Sequence, residues 1–184
     1  MTALRSVSGA HELEQLFAKT FFDQYRTVLQ GGAAEPEYRP GTGDRPSYIY
    51  YTRDYVRSAL HETAHWCVAG PIRRTLVDFG YWYAPDGRDN AQQAEFEKME
   101  VYPQALELIF SAACNQRFRV SLDNLTGEAG HAQPFEAAVL ARAEILLANG
   151  LSERAAQWTS ALATHYRGCG DFQPAWLRDV FTAW

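Results

Sequence analysis

Apolar residues recur at three- and four-residue steps through Leu13, Leu16, Phe17, Phe21, Tyr25 and Val28. That spacing predicts an amphipathic helix over about 10–29, stopped by Gly31-Gly32. Three prolines and two glycines between Ala33 and Pro46 predict an irregular loop, and Tyr48-Ile49-Tyr50-Tyr51 reads as a short aromatic strand. A second helix is expected from Asp54 through His61 and His65 to Ala69, closed by Gly70-Pro71. Leu76 to Tyr83 has the β-branched and aromatic content of a strand, ended by the turn Pro85-Asp86-Gly87. Asp89 to Met99 reads as helical, and Pro103 suits the first turn of a separate helix to about Cys114, where its missing N–H costs nothing. Phe118 to Leu122 is a further candidate strand. Two helices follow, about 134–149 and 152–166, the first ended by Gly150 and the second capped by Ser152. Pro174 to Trp184 is a short docked helix or a frayed end. This order of elements predicts an α+β fold: one domain over 1–184, a small mixed β-sheet surrounded by five or six helices.

Composition narrows the function. A net charge of -5 argues against a general nucleic-acid binder, which needs a basic face to displace counterions from phosphate. Cys67, Cys114 and Cys169 are far apart and odd in number, which suits free thiols in a reducing compartment better than a disulfide framework. The N-terminus carries no signal-peptide pattern and no segment approaches ~18 uninterrupted apolar residues, so a cytoplasmic protein without a membrane span is expected. Aromatic residues make up 14% of the chain, which calls for either a bulky core or an aromatic-walled pocket.

Chemistry concentrates in His61-Glu62-Thr63-Ala64-His65. Two histidines four apart on a helix share one face, about 6 Å apart, and aim both imidazoles at one point. Neutral imidazole binds iron, zinc, copper and nickel, and Glu62 beside the pair can act as a base. The bland reading is a solvated helix face. Two histidines need a third ligand, and Asp78, Asp86, Asp89, Glu95, Glu97, Glu100, Asp123, Glu128 and His131 are the distal candidates. Glu100, just before Val101-Tyr102-Pro103, is placed at an expected helix junction; Glu97, one turn earlier, is its rival, and Glu95 reads as surface. Spacing leaves two classes open. One is a zinc-dependent hydrolase or peptidase in which Glu62 activates water; the other is an iron site with two histidines and a carboxylate.

Longer runs add specificity. Leu60 to Gly70, then Leu76 to Tyr83 continuing into Pro85-Asp86-Gly87-Arg88-Asp89, then Phe96 to Leu106, resemble the bacterial elongation factor P hydroxylases. Weaker similarity runs through Asp123-Asn124-Leu125 and Leu147-Ala148-Asn149-Gly150, so the resemblance covers most of 48–150. It implies an O2-dependent, non-haem Fe(II) monooxygenase acting on the lysyl-modified lysine of elongation factor P. It matches His61, His65 and Glu100 to the metal ligands and gives Glu62 a counterpart of underived role. Zinc or nickel could occupy such a site after purification. The family fold resembles a metal-dependent ribonuclease fold rather than a jelly-roll oxygenase.

Other residues are weighed against plainer roles. Tyr81 and Trp82, with Phe79 and Tyr83, could form an aromatic wall for a cationic lysyl side chain; a buried strand is the alternative. Asp78 and Asp86 could pair with the amines of that substrate, with turn formation as the rival for Asp86. For Asp78 the rival role is an acceptor that orients His61 or His65. Cys67 reads as core, and His11, His131 and His165 as surface or core residues.

Overall fold

The computed structural model describes residues 5–80, 90–121 and 132–181. Helix α1 spans Ala10–Tyr25 and buries Ala10, Leu13, Phe17 and Phe21. It ends four residues short of the expected boundary because Arg26 takes a left-handed conformation (φ 49°) and donates its N–H to the Phe22 carbonyl. The chain then enters strand β1, Thr27–Ala33, whose first residues alternate inward and outward. Gly31 and Gly32 therefore lie in a strand and do not stop a helix. A Cβ on Gly31 would stand 2.6 Å from both the Arg53 carbonyl and the Tyr51 ring, so only glycine fits there.

Strand β2, Glu37–Arg39, breaks the expected loop, and β3, Ser47–Thr52, is the aromatic strand. The sheet order is β1-β3-β2, with β3 parallel to β1 and antiparallel to β2, so the small sheet is mixed as expected. Tyr51 and Ile49 point into the core. The β3 end is tied to the next helix, for the Thr52 N–H donates to the Ser58 hydroxyl. Helix α2, Val56–Val68, starts without a side-chain cap. Asp54, expected at its start, instead accepts the Ala10 N–H at 3.0 Å and so serves the first turn of α1.

The strand expected over 76–83 is absent from its described part. Residues Arg73–Thr75 and Val77–Gly80 form two 3-10 turns, with Asp78 and Phe79 at φ 47° and 56°. Positive φ at a bulky residue is uncommon and needs outside support. Support comes from β2: the Asp78 carboxylate accepts the Tyr38 N–H at 2.8 Å and Phe79 stacks on the Tyr38 ring at 4.2 Å. Leu76 and Val77, which gave the segment its strand-like composition, are exposed.

Helix α3 runs unbroken over Asn90–Ala113 with Pro103 inside it, so the expected pair of helices is one. Phe118 makes only an isolated parallel bridge to Phe181 instead of a third strand. Helices α4 (Ala132–Asn149), α5 (Glu153–Arg167) and α6 (Trp176–Val180) complete a set of six among the described residues. Gly150 (φ 90°) follows α4 as expected, whereas the Ser152 hydroxyl at the start of α5 makes no capping bond. No described helix is long and apolar enough to cross a membrane.

Behind α2 the core is aromatic. Trp66 packs with Phe17, Phe21 and Tyr25, and Trp158 joins Phe17 and Phe21, with ring centroids between 4.9 and 5.9 Å apart. Arg154 lies over the Trp66 ring at 4.6 Å and donates to the Cys67 and Ala69 carbonyls. Arg74 donates to the same Ala69 oxygen at 2.7 Å. Two cations thus meet the unpaired carbonyls at the C-terminus of α2, where the helix dipole is negative.

Candidate metal centre

The opposite face of α2 packs on α3, and it carries both histidines. Leu60, Ala64 and Cys67 are buried along the helix, while His61, Glu62 and His65 remain half-buried. On α3, Glu100, Gln104 and Glu107 repeat at four- and three-residue steps, so they form a polar line along one face of a helix otherwise rich in buried apolar residues. All three are nearly inaccessible to solvent.

His61 and His65 bring their Nε2 atoms to 3.0 Å of each other. Glu100 completes a triangle, with Oε2 at 3.5 Å from His61 Nε2 and Oε1 at 3.4 Å from His65 Nε2. An ion about 2.1 Å from each of two donors at right angles places those donors roughly 3 Å apart. The triangle has that scale. These donor atoms form a group that could hold one metal ion, and Glu100, rather than Glu97, is the carboxylate in it. Glu100 stands at no helix junction: it sits inside continuous α3, and its inward position comes from the phase of the helix.

Burial and charge pull in opposite directions on these donors. Burial alone would lower the His61 pKa, but hydrogen bonding to Glu107 and the charges of Glu107 and Glu100 raise it to about 10. Burial would raise the Glu100 carboxyl, yet His65 and His61, with a bond from Gln104, draw it down to about 2. Glu62 goes the other way: burial raises its pKa against the opposing pull of His61 and His65. Gln104 also accepts the Ser121 N–H and donates to the Ser121 carbonyl, which pins residue 121 beside Glu100.

Sequence reasoning missed Glu107. Its Oε2 lies 2.9 Å from His61 Nδ1, and its Oε1 lies 3.7 Å from Nε of Arg57, one turn before His61 on α2. The signal was present as the Glu100–Gln104–Glu107 repeat among apolar positions.

The remaining candidates scatter. Asp78 sits on the 3-10 turn and not on a strand, with Oδ1 engaged by the Tyr38 backbone N–H; the acceptor on His61 is Glu107. Tyr81, Trp82, Tyr83, Asp86, Arg88, Asp89, Asp123, Glu128 and His131 lie outside the described residues. Glu95 pairs with Lys98 at the surface. Cys67 is core, its thiol pushed up to about 12 by burial. His11 and His165 bond surface carboxylates, Glu14 and Glu12.

Residues 16–174 match the family model described as elongation factor P hydroxylase. The elongation factor P lysine hydroxylase of Haemophilus influenzae is 46% identical over 160 residues, which is 85% of this chain and 90% of that relative.

Proposed function

The chain belongs to the elongation factor P hydroxylase family, and on that premise we propose that it hydroxylates the lysyl-modified lysine of elongation factor P with O2 and Fe(II). The observation that carries this reading is the His61–His65–Glu100 triangle at the centre of a chain so similar to a named lysine hydroxylase. Two imidazoles and a carboxylate are the donor set of non-haem iron oxygenases, and ferrous iron held by His61, His65 and Glu100 would supply oxygen activation. The same donors accept zinc or nickel, so the metal in a purified sample need not be the working one.

The chain's own residues have definable tasks. His61 and His65 would hold the ion through Nε2, and Glu100 would supply the compensating negative charge. Glu62, whose raised pKa lets it hold a proton where an ordinary carboxylate would not, is assigned to proton handling at its carboxyl oxygens. Asp78, Tyr81, Trp82 and Asp86 are assigned to the cationic substrate, with Asp78 sharing its carboxylate with the Tyr38 N–H. A translation factor as substrate is in keeping with work in the cytoplasm.

The test starts from metal-free protein reloaded with Fe(II) under argon and then exposed to air with lysylated elongation factor P and a two-electron reductant such as ascorbate, since one oxygen atom enters the substrate and the other must be reduced to water. The modified lysine should gain the mass of one oxygen atom, and unmodified factor should react poorly. Zinc-loaded protein that acts as a hydrolase without oxygen would overturn the oxygenase reading.

A further inference from the structure

We infer that Glu107 is a positioning residue for the metal centre: its carboxylate engages the Nδ1–H of His61 and so leaves Nε2, which faces His65 and Glu100, as the ring nitrogen available to a metal. The inference rests on the metal reading above and deepens it. Imidazole has two nitrogens, and the one that binds a metal is set by the hydrogen bond that the other makes. Here Nδ1 is spoken for by Glu107 Oε2 at 2.9 Å, while Nε2 stands 3.0 Å from His65 Nε2 and 3.5 Å from Glu100 Oε2. No rotation of the ring keeps both relations with the nitrogens exchanged.

Glu107 is itself held. It is 2% exposed, lies between buried Leu106 and Leu108, and meets Arg57 through its second oxygen. Arg57 is tethered in turn, since its guanidinium donates to the Arg119 carbonyl. A buried carboxylate with few rotamers left orients a ring better than a solvated one would. Its charge also makes the facing imidazole a stronger donor to a metal. Glu107 lies two turns beyond Glu100 on the same face of α3, so one helix supplies both a donor and the brace for the donor opposite.

The experiment uses cobalt(II) and zinc as probes on the full chain. Chelator competition should show Glu107→Ala binding Co(II) about 10–100-fold more weakly than wild type, with Glu107→Gln between them because its amide oxygen still accepts the Nδ1 proton. The visible spectrum of the cobalt form should change in the same order. Nitrogen-15 spectra of the zinc-loaded wild type should show His61 protonated at Nδ1 and metal-bound at Nε2. A residue that only ties α2 to α3 would lower the melting temperature and leave affinity and spectrum alone. Unchanged affinity and spectrum in Glu107→Ala, or a His61 bound to zinc through Nδ1, overturns the inference by itself. Should the alanine variant not fold, the nitrogen spectrum of the wild type decides. Wild-type protein that takes up neither metal overturns the metal reading and this inference together.

Discussion

On one side of α2, Trp66 lies among the rings of Phe17, Phe21 and Tyr25; on the other, His61 and His65 meet Glu100 and Glu107 of α3. Both faces are packed against other helices, but the physics differs. The aromatic side gains free energy from removing apolar area from water, at about 25 cal/mol per Å². The polar side gives up hydration of two carboxylates and recovers it only through hydrogen bonds and opposite charge, a balance near neutral at best. One face holds the helix still and the other spends that rigidity on placing four polar side chains. A site whose donors must stay within a few tenths of an ångström of one another needs such an anchor behind it.

The largest expected effect breaks the polar face. His65→Ala and Glu100→Ala should each lose metal uptake and hydroxylation, measured by metal analysis and by the mass of the substrate, while far-UV circular dichroism stays native because the aromatic face is untouched. Glu97→Ala should keep both metal and activity; if it loses them while Glu100→Ala does not, the ligand assignment is reversed.

Breaking the aromatic face should do the opposite. Trp66→Ala removes a fully buried indole and should cost about 3–5 kcal/mol in denaturant unfolding. The fraction that stays folded should bind metal with near wild-type affinity. A parallel fall in affinity would show that the two faces are not separable.

A smaller effect is expected at the helix end. Arg154→Met keeps bulk over Trp66 but withdraws the donor from the Cys67 and Ala69 carbonyls, so it should cost about 2 kcal/mol by thermal or urea melting. Arg74 still serves Ala69, which limits the loss.

The smallest effect belongs to a carboxylate on neither face. Burial would raise the Glu14 pKa, but bonds from the Gly31 N–H, His11 and the Tyr51 hydroxyl hold it below 4.5. A depressed carboxylate contributes stability above its unfolded pKa that is lost as pH falls through the folded value. Glu14→Gln should therefore flatten the acid limb of the pH–stability profile below about 4.5 and leave the profile shape at neutral pH unchanged. An acid limb as steep as wild type would discount the three bonds.

What could be read from the sequence was what rests on local pattern. The histidine helix, the β3 aromatics and the α4–α5 break at Gly150 all carry signals within a few residues of themselves. What could not be read depends on distant partners. Val28 keeps helical phase with Tyr25, and nothing nearby shows that Arg26 will turn left-handed so that β1 can pair with β3. Leu76 and Val77 look like strand residues, but Tyr38 captures Asp78 and Phe79 first. Pro103 suits a first turn, yet the buried run that follows it over 104–114 holds one helix against the core despite a cost of about 3 kcal/mol for an interior proline. At the site the histidine pair is plain in the sequence, whereas Glu100 owes its inward position to the phase of a continuous α3 and not to a helix junction. Glu107 went unseen because its importance lies in one contact across to α2.

The placement of the candidate donors on α2 and α3 has a consequence for the chain as a polymer. His65 and Glu100 stand 35 positions apart, so an ion shared between them would tie off a loop of roughly that length. Closing such a loop in the unfolded chain removes conformational freedom worth about 4 kcal/mol at room temperature on the treatment used for disulfides. Such an ion would act as a reversible cross-link, a staple that a chelator could open. Metal-loaded protein should accordingly resist proteases better than its bond count alone suggests.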